Sequence, residues 1–495
     1  MTEEKKISRR GYLKYVGAGV VVVAGAAAAG AYYATRPQAP TPTTVITTQA
    51  PTTVITTQAP VTRPYEGEEI TIAMYPAPDT DAAKAMKADF ERETGAKVTF
   101  KEIPYEAMYE KFVTVGEAKT GEIDIWEVVA HWALAFVNRG YLYPIDEFVA
   151  NKSLGEAGLN DINPIIRDQY VVEDKLYALP VYPDMPTLFY RDDLISNEDI
   201  ANKFKSKTGE DLKPPDTTND LIKVSQFLTE NKYVKYGLAL QRFKDVSISQ
   251  EFLNWLYGLG GDFLYGQKGA VLEYSKDQYL KPAFNDERGI AACQFMVDLD
   301  KKHKVLSPGT LGMSFFDAME VFATGDSFAY LGYADVYGFF ADPKTSKVAG
   351  KWGSAPWPIL NSTTMEGRRA GHTGGWGLCV SNDSKYKECA YRFIEWVYGS
   401  EHAKLYAMLG GLNVHRPSIV GDPELQAKFP IFKTVSEMLP YVRYHVMVRE
   451  WPEIYKNTDE ELQEAMMERK TPKQALDDAA KVTEDILSRA GYYST

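Results

Sequence analysis

The chain is poor in the residues that most often announce chemistry. It has 3 cysteines and 6 histidines in 495 residues. Cys293, Cys379 and Cys389 form no CxxC pair. They exclude a disulfide framework and allow one bridge at most, so any pairing of Cys379 with Cys389 is left open. The scattered histidines show no metal-ligand spacing. No P-loop, HExxH or G-x-S-x-G pattern occurs, and no cofactor is expected. Positive charge is also short, with 55 Lys and Arg against 67 Asp and Glu, a net charge of -12. The segment 1–64 carries +5, so the remainder carries -17. A body that acidic does not suit nucleic acid, whose phosphates need basic stripes. Apolar runs of membrane-spanning length are missing after the first 36 residues, which excludes a multi-span protein.

What is present begins with an address. Ser8-Arg9-Arg10-Gly11-Tyr12-Leu13-Lys14 precedes an uncharged run from Tyr15 to Thr35. Basic residues before an apolar stretch describe an export signal. The paired arginines resemble a twin-arginine signal, with Tyr12 in place of the usual Phe. Ala29-Gly30-Ala31 offers a cleavage site, yet the run is long enough to span a bilayer. Residues 37–65 then form a Thr/Pro-rich stalk in which TTVITTQAP stands at 43–51 and again at 52–60. Such a segment cannot build a core; extended, it reaches about 80 Å. A stalk has a purpose if its base is fixed, so 1–36 is read as an export signal retained as a membrane anchor. That reading places the body on the outer side of the membrane.

The body reads as α/β. Ile70, Ile72 and Met74 alternate with smaller or polar residues, a strand. Ala82, Ala85, Met86 and Phe90 share a helical face, with Asp79 and Thr80 as candidate N-caps and Gly95 as the stop. Ala96–Lys101 and Ile123–Trp126 are two further strands, and a helix is expected over Ala130–Asn138. Strand–helix–strand at this spacing implies a parallel sheet. Ligands of such sheets sit beyond the carboxyl ends of the strands, which directs attention to Tyr75–Asp79 and Trp126–Trp132. Residues 197–215 read as a polar excursion between elements. Cys389–Val397 is a helix, and Thr471-Pro472 opens a final one.

Phe90-Glu91-Arg92-Glu93-Thr94-Gly95-Ala96-Lys97-Val98, Gly121-Glu122-Ile123-Asp124-Ile125, Lys175-Leu176-Tyr177-Ala178-Leu179-Pro180, Phe189-Tyr190-Arg191-Asp192-Asp193-Leu194, Phe322-Ala323-Thr324-Gly325-Asp326, Gly374-Gly375-Trp376-Gly377-Leu378 and Thr471-Pro472 through Ala480 occur in this order. Together they resemble the family 1 extracellular solute-binding proteins, the sugar-binding components of ABC importers. The resemblance covers nearly all of 68–490. It implies a two-lobed periplasmic-binding-protein-like fold of type II, with the ligand in a cleft between hinged lobes. Lobe one is then about 66–181 plus 348–408, and lobe two about 182–347 plus 409–495. The implied partners are a small-molecule solute, a sugar in this family, and ABC permease subunits in the membrane.

A sugar needs flat aromatic platforms for its C–H faces and side chains that accept and donate hydrogen bonds for its hydroxyls. The chain supplies 32 Tyr and 8 Trp. Asp184, after Leu179-Pro180-Val181-Tyr182-Pro183 at the hinge, is the first polar candidate. Tyr75, His131 and Trp132 follow strand ends, whereas Trp126 fits the core. Trp255 fits either a platform or core packing. Tyr333 and Asp335 stand where the family has a Gly-Pro-Trp turn. Gly374 and Gly375 would let backbone approach a ligand, with Trp376 beside them. Trp451 stands where the family supplies a late aromatic. Rival readings are a peptide- or polyamine-binding protein and a surface glycoside hydrolase, since any acidic protein offers paired carboxylates.

Overall fold

The computed structural model describes residues 63–361 and 365–493. The signal and stalk therefore lie outside the described residues. Among the described residues no helix is long and apolar enough to cross a membrane.

The strands run in chain order as β1 (Glu69–Met74), β2 (Lys97–Glu102), β3 (Ile125–Val129), β4 (Leu142–Tyr143), β5 (Val171–Val172), β6 (Lys175–Leu176), β7 (Ala178–Tyr182), β8 (Pro186–Arg191), β9 (Tyr236–Ala239), β10 (Ser327–Tyr333), β11 (Trp352–Pro356), β12 (Gly371–Thr373), β13 (Trp376–Ser381) and β14 (Val442–Tyr444). The first lobe is built on a six-stranded sheet in the order β2-β1-β3-β13-β4, with β7 also on β13. The expected parallel pairing holds for β1 with β2 and β3. It fails at β13, which runs antiparallel to β3, β4 and β7 because the chain re-enters this sheet from the other lobe. Helices cover both faces. Pro78–Thr94 presents Met86 and Phe90 to the core, and Phe90 meets Phe393 of Lys387–Tyr398 edge-on at 5.0 Å. Burying one such ring contributes roughly 2 kcal/mol. Gly95 stops the first helix in the left-handed region at φ 81°.

The second lobe has the sheet β11-β8-β10-β9. Helices Ser247–Gly258, Glu287–Lys301, Trp451–Met466 and Pro472–Arg489 pack on one another beside it. The last begins with a capping box between Thr471 and Gln474. The short parallel pair β12–β14 lies on helix Ser247–Gly258.

Three expectations need correction, and one open question is answered. Residues 352–356, assigned above to lobe one, pair with β8 in the second sheet, Trp352 opposite Arg191 and Pro356 opposite Thr187. With β12 also held by the second lobe, the chain returns to the first lobe only at Trp376. Asp79 is not an N-cap: the helix starts at Pro78, and Asp79 Oδ1 accepts hydrogen bonds from the Tyr406 hydroxyl at 2.7 Å and the Leu412 amide at 2.6 Å. The polar stretch after Asn197 is a helix over Glu198–Thr208, capped by Asn197 and buried through only Ile200 and Phe204. That face is too narrow to read as periodic. Cys379 and Cys389 do not pair; all three cysteines are buried and free.

Candidate functional site

Two chain crossings between the lobes lie against each other. One runs from β7 through Pro183 and Asp184 into β8, the other from β12 through Gly374 and Gly375 into β13. Asp184 Oδ2 accepts the Gly375 amide at 3.0 Å. Gly375 has φ 86°, and a Cβ there would stand 2.6 Å from Pro183 Cα and 2.7 Å from Tyr182 O. Only glycine fits. Its carbonyl accepts from the Ala130 amide at 3.0 Å and the Tyr170 hydroxyl at 3.2 Å, and the Gly374 carbonyl from Gln169 at 3.1 Å. The crossing is thus fastened to the start of helix Ala130–Asn138.

Around this knot the aromatic candidates form one connected surface. Trp376 stacks on Tyr75 at 5.8 Å and an interplanar angle of 11°, and on Tyr182 at 6.1 Å. It meets Tyr105 and Trp132 edge-on at 5.9 and 6.3 Å. His131 continues from Trp132 to His445 at 5.1 Å, and His445 touches both His372 at 5.2 Å and Trp451 at 5.1 Å. His372 accepts or donates at both ring nitrogens, to Asn254 Oδ1 at 3.0 Å and the Tyr333 hydroxyl at 3.2 Å. The structure therefore brings together Tyr75, His131, Trp132, Asp184, Tyr333, Gly374, Gly375, Trp376 and Trp451. Asp335, in the turn after β10, is within electrostatic reach of Asp184. Trp255 stands apart. It packs on Phe295 and Trp357, each at 4.9 Å, and donates to the buried Glu251 at 3.1 Å. That is the second lobe's core, so the packing alternative is the one realised. Trp126 is core as expected, stacked on Phe112 at 4.8 Å.

Sequence reasoning missed Tyr105, Tyr182, His372, Thr373 and His445. A weak signal existed for Tyr182, between two hinge residues that were recognised. The histidines gave none, because 372 and 445 meet only when β12 pairs with β14.

Several buried polar atoms of this surface have no hydrogen-bond partner among the described residues: His131 Nδ1, His445 Nε2, Thr373 Oγ1, Trp451 Nε1 and Asp335 Oδ1. Buried polar groups are normally paired. Unpaired atoms on and beside one connected set of rings mark a place where a polar guest would supply partners. Burial also pushes the site's acids above the usual carboxylate range. Asp184 is pushed up to about 6, against the opposing Gly375 amide. Asp335 rises to about 8 through burial and the nearby Asp184 and Asp79. Glu127, whose carboxylate accepts the Tyr75 amide at 2.6 Å, also rises to about 8 by burial. Burial drives His131 and His372 well below the usual range and His445 to about 4, so all three are neutral at pH 7. None of these site residues is Lys or Arg. Among the described residues no group of three or more His, Cys, Asp and Glu is placed to hold a metal ion. Surface hollows of about 530 and 520 Å³ lie elsewhere, beside Lys304 and Lys223.

Comparison with known proteins agrees with this architecture. The bacterial extracellular solute-binding protein family matches residues 76–404. A probable amino-acid ABC transporter periplasmic-binding protein of Sinorhizobium fredii is 23% identical over 440 residues, covering 87% of this chain and 92% of that protein. A mannitol-binding protein of Pseudomonas aeruginosa is 23% identical over 390 residues, covering 75% of this chain and 82% of its own. In fold, the chain is similar to maltose-bound MalE3 of T. maritima, with TM-score 0.71, 22% identity, and coverage of 85% of this chain and 100% of that one. A solute-binding protein of Agrobacterium vitis with bound D-mannitol gives TM-score 0.66 at 24% identity, covering 86% and 99%. The chain belongs to the bacterial extracellular solute-binding protein family.

Proposed function

As a member of that family, the protein, we propose, captures an uncharged sugar or polyol between its lobes and delivers it, chemically unchanged, to the permease of an ABC importer. One observation carries the reading: the aromatic wall around Trp376 adjoins, through His131 and His445, buried polar atoms that have no partner among the described residues. The rings offer faces to C–H groups and the polar atoms offer partners to hydroxyls. The sugar and polyol ligands of the maltose- and mannitol-bound neighbours support the same class. The amino-acid name of one relative supports a different solute. An α-carboxylate would need a cationic or clustered amide partner, and this site offers carboxyl groups and neutral imidazoles instead. The sequence of the first 64 residues supports an anchored, outward-facing placement, with 1–36 as membrane anchor and 37–65 as stalk.

Calorimetry of the full chain against D-mannitol, ribitol, maltose, a set of amino acids and spermidine tests this. Binding of a sugar or polyol, with a change in tryptophan fluorescence as Trp376 and Trp132 are covered, is expected. Binding of an amino acid or spermidine with no heat from any sugar overturns it, and release of reducing ends from a glycan would replace it with hydrolysis.

A further inference from the structure

The three histidines of the site are not equivalent. His372 spends both ring nitrogens inside the second lobe, on Asn254 and Tyr333. His445 spends only one. Its Nδ1 lies 3.4 Å from the Val446 carbonyl, which can only accept, so the proton belongs on Nδ1. Nε2 is then a bare lone pair, buried and unpartnered, on a residue 1% exposed. Trp451, fully buried, adjoins it edge-on at 5.1 Å and holds the opposite need: Nε1 is a donor with no acceptor. Both residues are rigid. The Tyr257 hydroxyl ties the Tyr444 carbonyl at 3.2 Å, and Trp451 is wedged against Phe263 at 5.1 Å.

From this, and resting on the sugar reading above, we propose that His445 and Trp451 together read one hydroxyl of the ligand, which donates to His445 Nε2 and accepts from Trp451 Nε1, while His131 closes over it from the first lobe. A single hydroxyl satisfies both atoms through one oxygen. An ammonium can donate but not accept, and a carboxylate can accept but not donate. His131, 5% exposed, brings its own unpaired Nδ1 to within a ring contact of His445 at 5.1 Å. The pair spans the interlobe boundary, so the hydroxyl is read only when the lobes are together. Rejection is the stronger half of such a device, because a ligand lacking the hydroxyl leaves two buried polar atoms unpaired.

The test uses the full chain with whichever of D-mannitol and maltose it binds, together with monodeoxy analogues of that probe. Trp451→Phe and His445→Phe keep the rings and remove the donor and the acceptor. One deoxy position should weaken wild-type binding tenfold or more, and each variant should weaken parent binding tenfold or more. In the variants that same deoxy position should matter less than threefold, with the unliganded melting temperature as the control for folding. If every deoxy analogue binds the wild type like the parent, or both variants bind the parent within twofold of wild type, the inference falls and the sugar reading stands. If neither sugar binds and an amino acid or spermidine does, the sugar reading itself falls.

Discussion

Gly374 and Gly375 are neighbours with opposite predicted failures. Alanine at 375 must adopt φ near 86°, in the left-handed region, at a cost of roughly 1–2 kcal/mol. Its Cβ would also overlap backbone, Pro183 Cα at 2.6 Å and Tyr182 O at 2.7 Å, and neither atom can turn aside. Overpacking of that kind costs about 1–3 kcal/mol. Gly375→Ala should therefore lose about 2–5 kcal/mol of stability, a fall in melting temperature of roughly 2–6 °C for a body of this size. Alanine at 374 meets Asp184 Oδ2 at 2.8 Å and His445 Cδ2 at 3.7 Å. A carboxylate can rotate away where backbone cannot, so the fold should lose less than at 375. Rotation would break its bond from the Gly375 amide and displace the carboxylate offered to the ligand. A lost charge-assisted bond is worth about 1.5–3 kcal/mol, so affinity should fall roughly ten- to hundredfold. Circular-dichroism melts and calorimetry on the pair give both readouts. Equal melting temperatures for the two variants, or a Gly374→Ala protein that binds like wild type, would refute the reasoning that these crossings form the site.

Asp184→Asn keeps size and removes charge. It should weaken ligand binding at least tenfold at pH 8, where the wild-type carboxyl is ionised, and much less at pH 5, where the wild-type carboxyl is protonated and neither protein carries the charge; a loss independent of pH would remove the carboxylate from contact. The buried acids also predict a stability slope. Asp79, Glu127 and Asp335 keep their protons to about 7, 8 and 8 in the folded protein, while the unfolded chain releases them near 4. Their contribution is complete below pH 4 and is lost as pH rises through the folded values, by up to about 1.4 kcal/mol per pH unit for each group. The neutral histidines oppose this until the unfolded imidazoles, near 6.5, have lost their protons, by about pH 7.5. Melting temperature should fall between about pH 7.5 and 8.5, and less steeply in Glu127→Gln; a flat or rising profile would contradict it.

The first lobe was readable because its signals are local. Ile70, Ile72 and Met74 alternate, Gly95 ends a helix, and Ala130–Asn138 is bounded as expected. The final helix announces itself through Thr471 and Pro472. The lobe boundary was not readable, because Trp352–Pro356 carries no pattern that distinguishes one sheet from the other. Its membership depends on β8, about 160 residues earlier in the chain. Trp255 and Trp376 show the same limit for the site. Both are tryptophans near glycines, and only tertiary placement puts one on Glu251 and Phe295 and the other against Tyr75 and Asp184's partner Gly375. His445 was invisible because its role exists only through contacts with residues 131, 372 and 451.

The unpaired atoms tie recognition to motion. While the lobes are apart, His131 Nδ1 and the His445 and Trp451 nitrogens can bond to water. Bringing the lobes together removes that water, and each buried atom left without a partner costs about 1–3 kcal/mol. Burial of apolar surface on closure works in the other direction. Closure on its own is therefore opposed by the polar atoms that a ligand would satisfy. A solute with hydroxyls in the right places removes the penalty, whereas one of the right size with none does not. The two crossings fastened by Asp184 and Gly375 keep that choice sharp, because they hold the aromatic wall and the acid in fixed register while the lobes turn about them.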